Sequence, residues 1–438
     1  MGTIEAENSA VAERSDQPAK LLNKNFVLLW QGQFISQIGT QVHGIAIMFW
    51  LKHATGSATI MGTLMMASML PGVLLGPIGG AFADRHSRRK IILYSDLFSG
   101  ILVLIVTLML FYRPGDVDFI VVWLTITYIF MGITNAAFGP ALSAALPDLV
   151  PREKIPAANS LRQSTMQISS FFGQGLGGVL FRLLGAPILF LADAVSFFIS
   201  AISLIFVKIP QKYPERVAGF RAIFDHFKKS IIEGLHYVWK HKGLRSLIFS
   251  AAFLNFFIAP VGILLPFYVE DTLKSTPDWF GYFMALLGAG ALLGYAIAGW
   301  LYIPGKKRSL LIVSLLIIES LTIGALGLVR STYIALIIFF FIGLFNGTIN
   351  IYISTILQVT TPTEIRGRVF SVLGTVAGGL APIAMGLAGV IADLLNKNIP
   401  LIFILCGGIS AALAILVSLG HEFREFLAHE IPRAARAK

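Results

Sequence analysis

GGAFADRHSRRK (residues 79–90) gathers Asp84, Arg85, Arg88, Arg89 and Lys90, with His86 among them, between two long stretches almost free of charge. A short basic loop between apolar runs marks a chain leaving one lipid-embedded helix and entering the next. The composition agrees: of 438 residues, 56% are hydrophobic and 13% charged, with mean hydropathy +0.77. Soluble domains carry about 25% charged residues, so here most of the surface must be wetted by lipid. The single cysteine, Cys406, sits in an apolar run and excludes an internal disulfide and a cysteine metal cluster.

A hydrocarbon core of about 30 Å takes roughly 20 apolar residues of helix. Runs of that kind predict twelve spans, at 26–52, 58–82, 90–112, 119–146, 157–181, 187–207, 245–269, 279–301, 309–329, 333–360, 367–392 and 399–420. The expected fold class is therefore an all-α membrane protein with twelve transmembrane helices, without the alternation of a β-barrel. With the N-terminus placed in the cytoplasm, 28 of the 34 Lys/Arg fall inside. The outer side keeps six, Lys52, Arg113, Arg182, Lys274, Arg330 and Lys397. Such a bias orients membrane proteins and puts both termini in the cytoplasm. The net charge of +11 then reports topology and contact with anionic lipid, and no nucleic-acid partner is expected.

Residues 1–24 are polar and lack the apolar core of a secretory signal, so they are expected to be a disordered cytoplasmic tail; residues 421–438 are expected to be a cytoplasmic tail at the other end. Residues 208–244 form the one long loop. Phe220, Ile223, Phe224, Phe227, Ile231, Leu235, Val238 and Trp239 follow helical spacing there, which predicts an amphipathic helix on the cytoplasmic membrane surface.

The chain repeats itself. At an offset of 211, Gly132, Asn135, Ser143, Pro151, Glu153, Gly175 and Gly178 fall on Gly343, Asn346, Ser354, Pro362, Glu364, Gly386 and Gly389. At 219, Gly62 and Gly80 fall on Gly281 and Gly299, and Arg88-Arg89 on Lys307-Arg308. Two parallel six-span halves, 25–207 and 245–420, are a transporter architecture with the substrate site between them. Glycines stand four apart at Gly72, Gly76 and Gly80, at Gly173 and Gly177 (followed by Gly178), at Gly290 and Gly294, and at Gly374 and Gly378. Small faces allow close helix contact. Because these stripes occupy spans two, five, eight and eleven, they are expected to form a seam along which the halves rock.

Gly80, Asp84, Arg85, Arg88 and Arg89 resemble the G-x-x-x-D-R-x-G-R-R signature of the major facilitator superfamily, with Ser87 in place of the second glycine. FWLKHATGSATIMG, LPDLVPREKIPAANSLRQS, ADAVSFF and EIRGRVFSV look like the macrolide-efflux and enterobactin-exporter branch. The resemblance covers residues 25–420 and implies that Asp84 latches onto the start of span eleven when the cytoplasmic side is closed. Asp148, Arg152, Glu364, Arg366 and Arg368 are further partners for this switch. GQGLGG (173–178) resembles the antiporter signature G-P-x-x-G-G, with Gln174 replacing proline, and span four lacks the arginine associated with proton coupling.

Ionisable groups in hydrocarbon are functional candidates. Asp96, Asp193 and Glu319 are the candidate proton carriers, although the resemblance puts spans three, six and nine at the periphery. Arg162 lies near the inner end of span five. Gln33, Gln37 and Gln41 share one face of span one with His43 further along it; Asn135, Asn255, Asn346 and Asn350 stand on spans four, seven and ten. Gln37, Gln41, His43 and the four asparagines are the candidate cavity residues, suited to a wide, weakly polar site for bulky amphipathic molecules.

No metal-spaced His/Cys/carboxylate set, GxxxxGK[ST] loop or Ser-His-Asp arrangement occurs, so neither an enzyme nor a cofactor is expected. The expectation is a monomeric secondary transporter of a bacterial cell membrane, with lipids and a small-molecule substrate as its partners. It would export drug-like, macrolide or siderophore molecules by rocker-switch alternating access, driven by the proton gradient. A facilitator or symporter for a nutrient or lysophospholipid is the alternative.

Overall fold

The computed structural model describes residues 20–211, 232–301 and 303–430. Residues 1–19, 212–231 and 431–438 lie outside it, and with them most of the expected N-tail and the positions Phe220–Ile231 of the expected amphipathic helix.

No strand occurs among the described residues. A backbone in hydrocarbon has no water to bond, so each crossing satisfies its own amides as a helix. Spans one to four are Lys24–Thr55, Ala58–Arg85, Arg88–Tyr112 and Val117–Leu149. Span seven is Lys242–Phe267, span eight Asp278–Trp300, span nine Gly305–Leu326, span ten Thr332–Thr360 and span twelve Ile399–Leu419. Loops after odd-numbered spans lie at one end of these helices and loops after even-numbered spans at the other. Large apolar side chains remain bare along them, Trp300 at 90% exposure among them, as a lipid-facing surface requires.

Three helices depart from simple rods. Spans five and six run together as Ile155–Ile205, 51 residues broken only at Gly185, whose φ of +74° belongs to glycine. A straight helix of that length would measure about 77 Å, more than twice the hydrocarbon thickness, so Gly185 is where the chain turns back. Span seven ends in a π-helical turn, Tyr268–Thr272, closed by Leu273 N–H donating to Tyr268 O at 2.9 Å. Span eleven is Thr363–Gly379 followed by Ala381–Leu394; Pro382, without an N–H, cannot complete the ladder across the break.

The chain forms two compact units that do not follow its sequence halves. One contains residues 1–46, 71–173 and 184–219; the other contains 47–70, 174–183 and 220–438. The odd-loop tips of spans one, two and five thus belong with the second half. In the first unit, Phe26, Ile92, Ala145, Leu149, Leu204 and Val207 build a core near the even-loop end. In the second, Val238, Leu247, Ile312, Tyr352, Ile356 and Phe423 do the same. Phe423 belongs to a short helix, His421–Leu427, within the segment expected to be a tail. Arg308, 1% exposed, anchors it by donating to the carbonyls of Leu427 and His429.

Candidate functional site

The signature loop is built within the first unit. Ser87 is the N-cap of span three, accepting from Lys90 N–H at 3.4 Å with φ of −59°, so the turn needs no glycine there. Arg88 reaches span four, donating to Ala144 O at 3.0 Å and to the carboxylate of Asp148. Arg88 N–H donates to Gln211 Oε1 at 2.8 Å. Arg89 donates from Nε to Leu204 O at 3.0 Å and from Nη2 to Ile205 O, closing the end of span six. The loop arginines therefore fasten three helices of one half, a role that topology alone does not require. Asp148 is engaged by Arg88, and Asp84 is exposed at the end of span two. Arg366 donates to Thr361 O at 3.3 Å, and Arg368 pairs with Glu233 from the described end of the linker. The side chain of Glu364 lies outside the described residues.

The odd-loop end of the second unit holds contacts that sequence reading missed. Lys52, counted in the sequence only as a minority outer charge, is 8% exposed and donates to Glu270 Oε2 at 2.6 Å and Asp271 Oδ1 at 2.8 Å. The Phe267 ring stands 5.4 Å from its ammonium. His53 adds a contact to Glu270 at 2.9 Å. The π-turn matters here: its wider winding lets consecutive carboxylates converge on one ammonium. Below the ion pair, Phe49 packs on Phe181 at 5.3 Å and Phe280 at 5.8 Å, one ring from each of spans one, five and eight.

Two flanking contacts are related by the sequence repeat. Spans two and eleven meet where a methyl on Gly62 would lie 2.5 Å from Met385 O and one on Gly389 would overlap Ala58 O. Spans eight and five meet where methyls on Gly281 and Gly178 would overlap Gly175 O and Pro277 O. Offsets of 219 and 211 carry the first contact onto the second. Beside them, Asp393 caps span two by accepting from Ala58 N–H at 3.1 Å, Thr59 N–H at 2.8 Å and Ser57 Oγ at 2.7 Å. Its repeat-related counterpart is Arg182, which donates to Asp278 Oδ1 at 3.2 Å. Lys52 and Asp271 are themselves 219 apart, so their ion pair joins equivalent positions of the two halves.

The glycine stripes divide. Gly290 and Gly294 of span eight approach span ten of the same half, where methyls would overlap the carbonyls of Phe340 and Leu344; Gly343 and Gly347 return the contact. These two therefore serve packing within a half, where the spacing suggested a seam between halves. A methyl on Gly72 would lie 3.7 Å from Gly132 O, and one on Gly173 would overlap Gln41. At Gly76, Gly80, Gly374 and Gly378 a methyl meets nothing within 4 Å among the described residues. Gly177 is buried.

The polar residues of the spans form two separate groups. In the first unit, Gln33 Nε2 and Ser200 Oγ donate to Asp96 Oδ2 at 3.0 and 2.6 Å. Two to three turns along the same interface of spans one and six, His43 Nδ1 stands 2.5 Å from Asp193 Oδ2. In the second unit, Asn346 Nδ2 donates to Glu319 Oε1 at 3.0 Å and Asn350 Nδ2 to Asn346 Oδ1 at 2.8 Å. Asn346 and Asn350 are exposed while Glu319 is buried, so the amides link the acid to an open helix face. Asn255 donates to Ala377 O at 3.3 Å. Asn135 is exposed, and Gln37 and Gln41 are half-buried. A groove of about 950 Å³ between spans two, three and four holds none of these candidates; Leu75, Phe82 and Phe98 line it, with Lys90 at its end.

The profile of the transmembrane secretion effector family matches residues 16–436. Macrolide efflux protein A of Streptococcus pyogenes is 27% identical over 403 residues, 91% of this chain and 96% of that one. The multidrug efflux pump Tap of Mycolicibacterium fortuitum is 25% identical over 354 residues, 78% and 83% of the two chains. In three dimensions the chain is similar to a bacterial homologue of the iron transporter ferroportin. The TM-score is 0.68 at 18% identity, covering 93% of this chain and all of the other.

Proposed function

The chain belongs to the transmembrane secretion effector family of the major facilitator superfamily, and we propose that it exports bulky amphipathic small molecules of macrolide type from a bacterial cell in exchange for protons. Members of this family are membrane transporters and not enzymes. The reading rests most on the odd-loop end, where Lys52, Asp271 and the repeat-related contacts join the two sequence halves. Ion pairs and glycine contacts between equivalent positions fit a closure that the halves make and break as units. The basic bias supports an orientation with the even-loop end and both termini in the cytoplasm, in which this closure faces outward.

Alternating access follows from how such contacts behave. Lys52 is buried among oxygens when the closure is made and hydrated when it is broken, so the ion pair favours one state of the transporter. Charged hydrogen bonds of this kind are worth about 1.5–3 kcal/mol, enough to shift a conformational equilibrium about tenfold or more. The exposed Asn346 and Asn350 offer hydrogen bonds to a molecule held otherwise by apolar area.

Cells expressing the protein should accumulate at least severalfold less labelled erythromycin than control cells, and an uncoupler should abolish the difference. Equal accumulation, or accumulation raised by the protein, would contradict export and favour the importer reading.

A further inference from the structure

We propose that His43 and Asp193 together form the proton-binding site of this transporter, with His43 Nε2 as the atom that takes and releases the proton. The assignment rests on the reading of proton-coupled transport and names the residues that perform the coupling. His43 is 2% exposed and Asp193 fully buried, and they meet across spans one and six at 2.5 Å, Nδ1 to Oδ2. Thr40 Oγ donates to Asp193 Oδ1 at 3.4 Å, and in this proposal Asp193 is the acceptor and Nδ1 the nitrogen that carries the hydrogen. The other nitrogen, Nε2, is buried and has no partner among the described residues.

The charge balance fixes what the pair can do. With Nε2 bare, a neutral imidazole donates to a carboxylate and the site holds one net negative charge. A proton on Nε2 forms an N–H bond, makes the ring an imidazolium and brings the pair to zero. An uncompensated charge is strongly disfavoured in a site this enclosed, whereas a paired one is tolerated. Under the proposal the pair carries the proton while it is enclosed and exchanges it where Nε2 meets water. The titratable groups facing the ring are Asp193 from span six and Tyr128 from span four, whose ring is 5.9 Å away edge-on; Phe190 covers a face at 4.0 Å. The nearest further carboxylate on this interface, Asp96, is occupied by Gln33 and Ser200. His43 lies twelve residues from the odd-loop end of a helix spanning Lys24–Thr55, about 18 Å deep.

The test uses His43→Gln, whose amide can still donate to Asp193 but cannot titrate, and Asp193→Asn, each in purified full-length protein. In proteoliposomes, erythromycin transport driven by a pH gradient should fall at least tenfold more than erythromycin counterflow, which needs no net proton movement. Equal losses in both assays, or full gradient-driven transport, would overturn the assignment. A wild-type protein that moves erythromycin without protons would overturn proton coupling itself and the assignment with it. A second readout needs no substrate: with nitrogen-labelled rings of the eight histidines, the His43 signal, identified by its loss on substitution, should change protonation at Nε2 while Nδ1 stays hydrogen-bonded. That signal should vanish in His43→Gln and shift in Asp193→Asn. If the His43 ring keeps one protonation state between pH 5 and pH 9, the proposal is wrong whatever the substrate.

Discussion

A single arginine shows how far residue identity carries. Arg88 resembles a signature residue, and its position behind a glycine-rich helix end suggested cytoplasmic anchoring. Its two acceptors, Ala144 O and Asp148, lie 56 and 60 residues away and were not readable from the loop. Asp148 stood instead among the partners named for a switch with Asp84. Arg88→Ala should leave Asp148 partly buried and unpaired, lowering stability by about 1–3 kcal/mol. Thermal unfolding of purified protein would record the drop, and Arg88→Lys should restore part of it, because a single nitrogen, Nη1, serves both acceptors and an ammonium has donors for both. An unchanged Tm in Arg88→Ala would remove this fastening role. Lys52 was similarly hidden: in the sequence it is one of six exceptions to a charge bias, and only the fold brings it to Glu270 and Asp271. His43 and Asp193 were each visible as buried ionisable residues, but 150 positions separate them and nothing local announces the pair.

At the scale of helices, apolar run length was the strong signal, because lipid sets helix length directly. The reversal at Gly185 keeps spans five and six as separate crossings even though the helical geometry nearly runs through. The π-turn at Tyr268–Thr272 had no sequence signature beyond Pro266 and two adjacent acids. Glycine spacing identified small faces but could not say which neighbour each face meets. The repeat did better at four positions: Gly62, Gly178, Gly281 and Gly389, which coincide between halves, are in close contact at the odd-loop end, whereas methyls on the matched Gly80 and Gly299 meet nothing within 4 Å among the described residues. Contrasting substitutions separate the two roles. Gly290→Ala forces a methyl into the Phe340 carbonyl and should cost about 1–3 kcal/mol, reducing folded yield. Gly76→Leu finds open space at its Cβ and should leave insertion and yield near wild type while impairing transport. Wild-type transport by Gly76→Leu would detach that stripe from any moving surface.

For the whole molecule, two six-span halves were legible because a duplicated architecture leaves collinear residues, and these outweigh any single weak match. What the repeat could not reveal is where compactness divides. The tips at 47–70 and 174–183 pack with the second half, held by Lys52, Asp393, Arg182 and the paired glycine contacts. These ties predict coupling across the closure. Lys52→Ala and Glu270→Gln should each shift the transporter toward an outward-open form, and their effects should be markedly less than additive, as expected of residues in one network. Ala58 offers the most direct test of alternating access, being fully buried at this closure beside Gly389. With Cys406 replaced by serine, the rate at which Ala58→Cys reacts with a membrane-impermeant maleimide added outside intact cells reports whether the closure opens. Labelling of the otherwise unaltered protein should be slow, and at least tenfold faster when Lys52→Ala is added. Equal rates in the two backgrounds, or reaction only from the cytoplasmic side of inverted vesicles, would contradict such a closure.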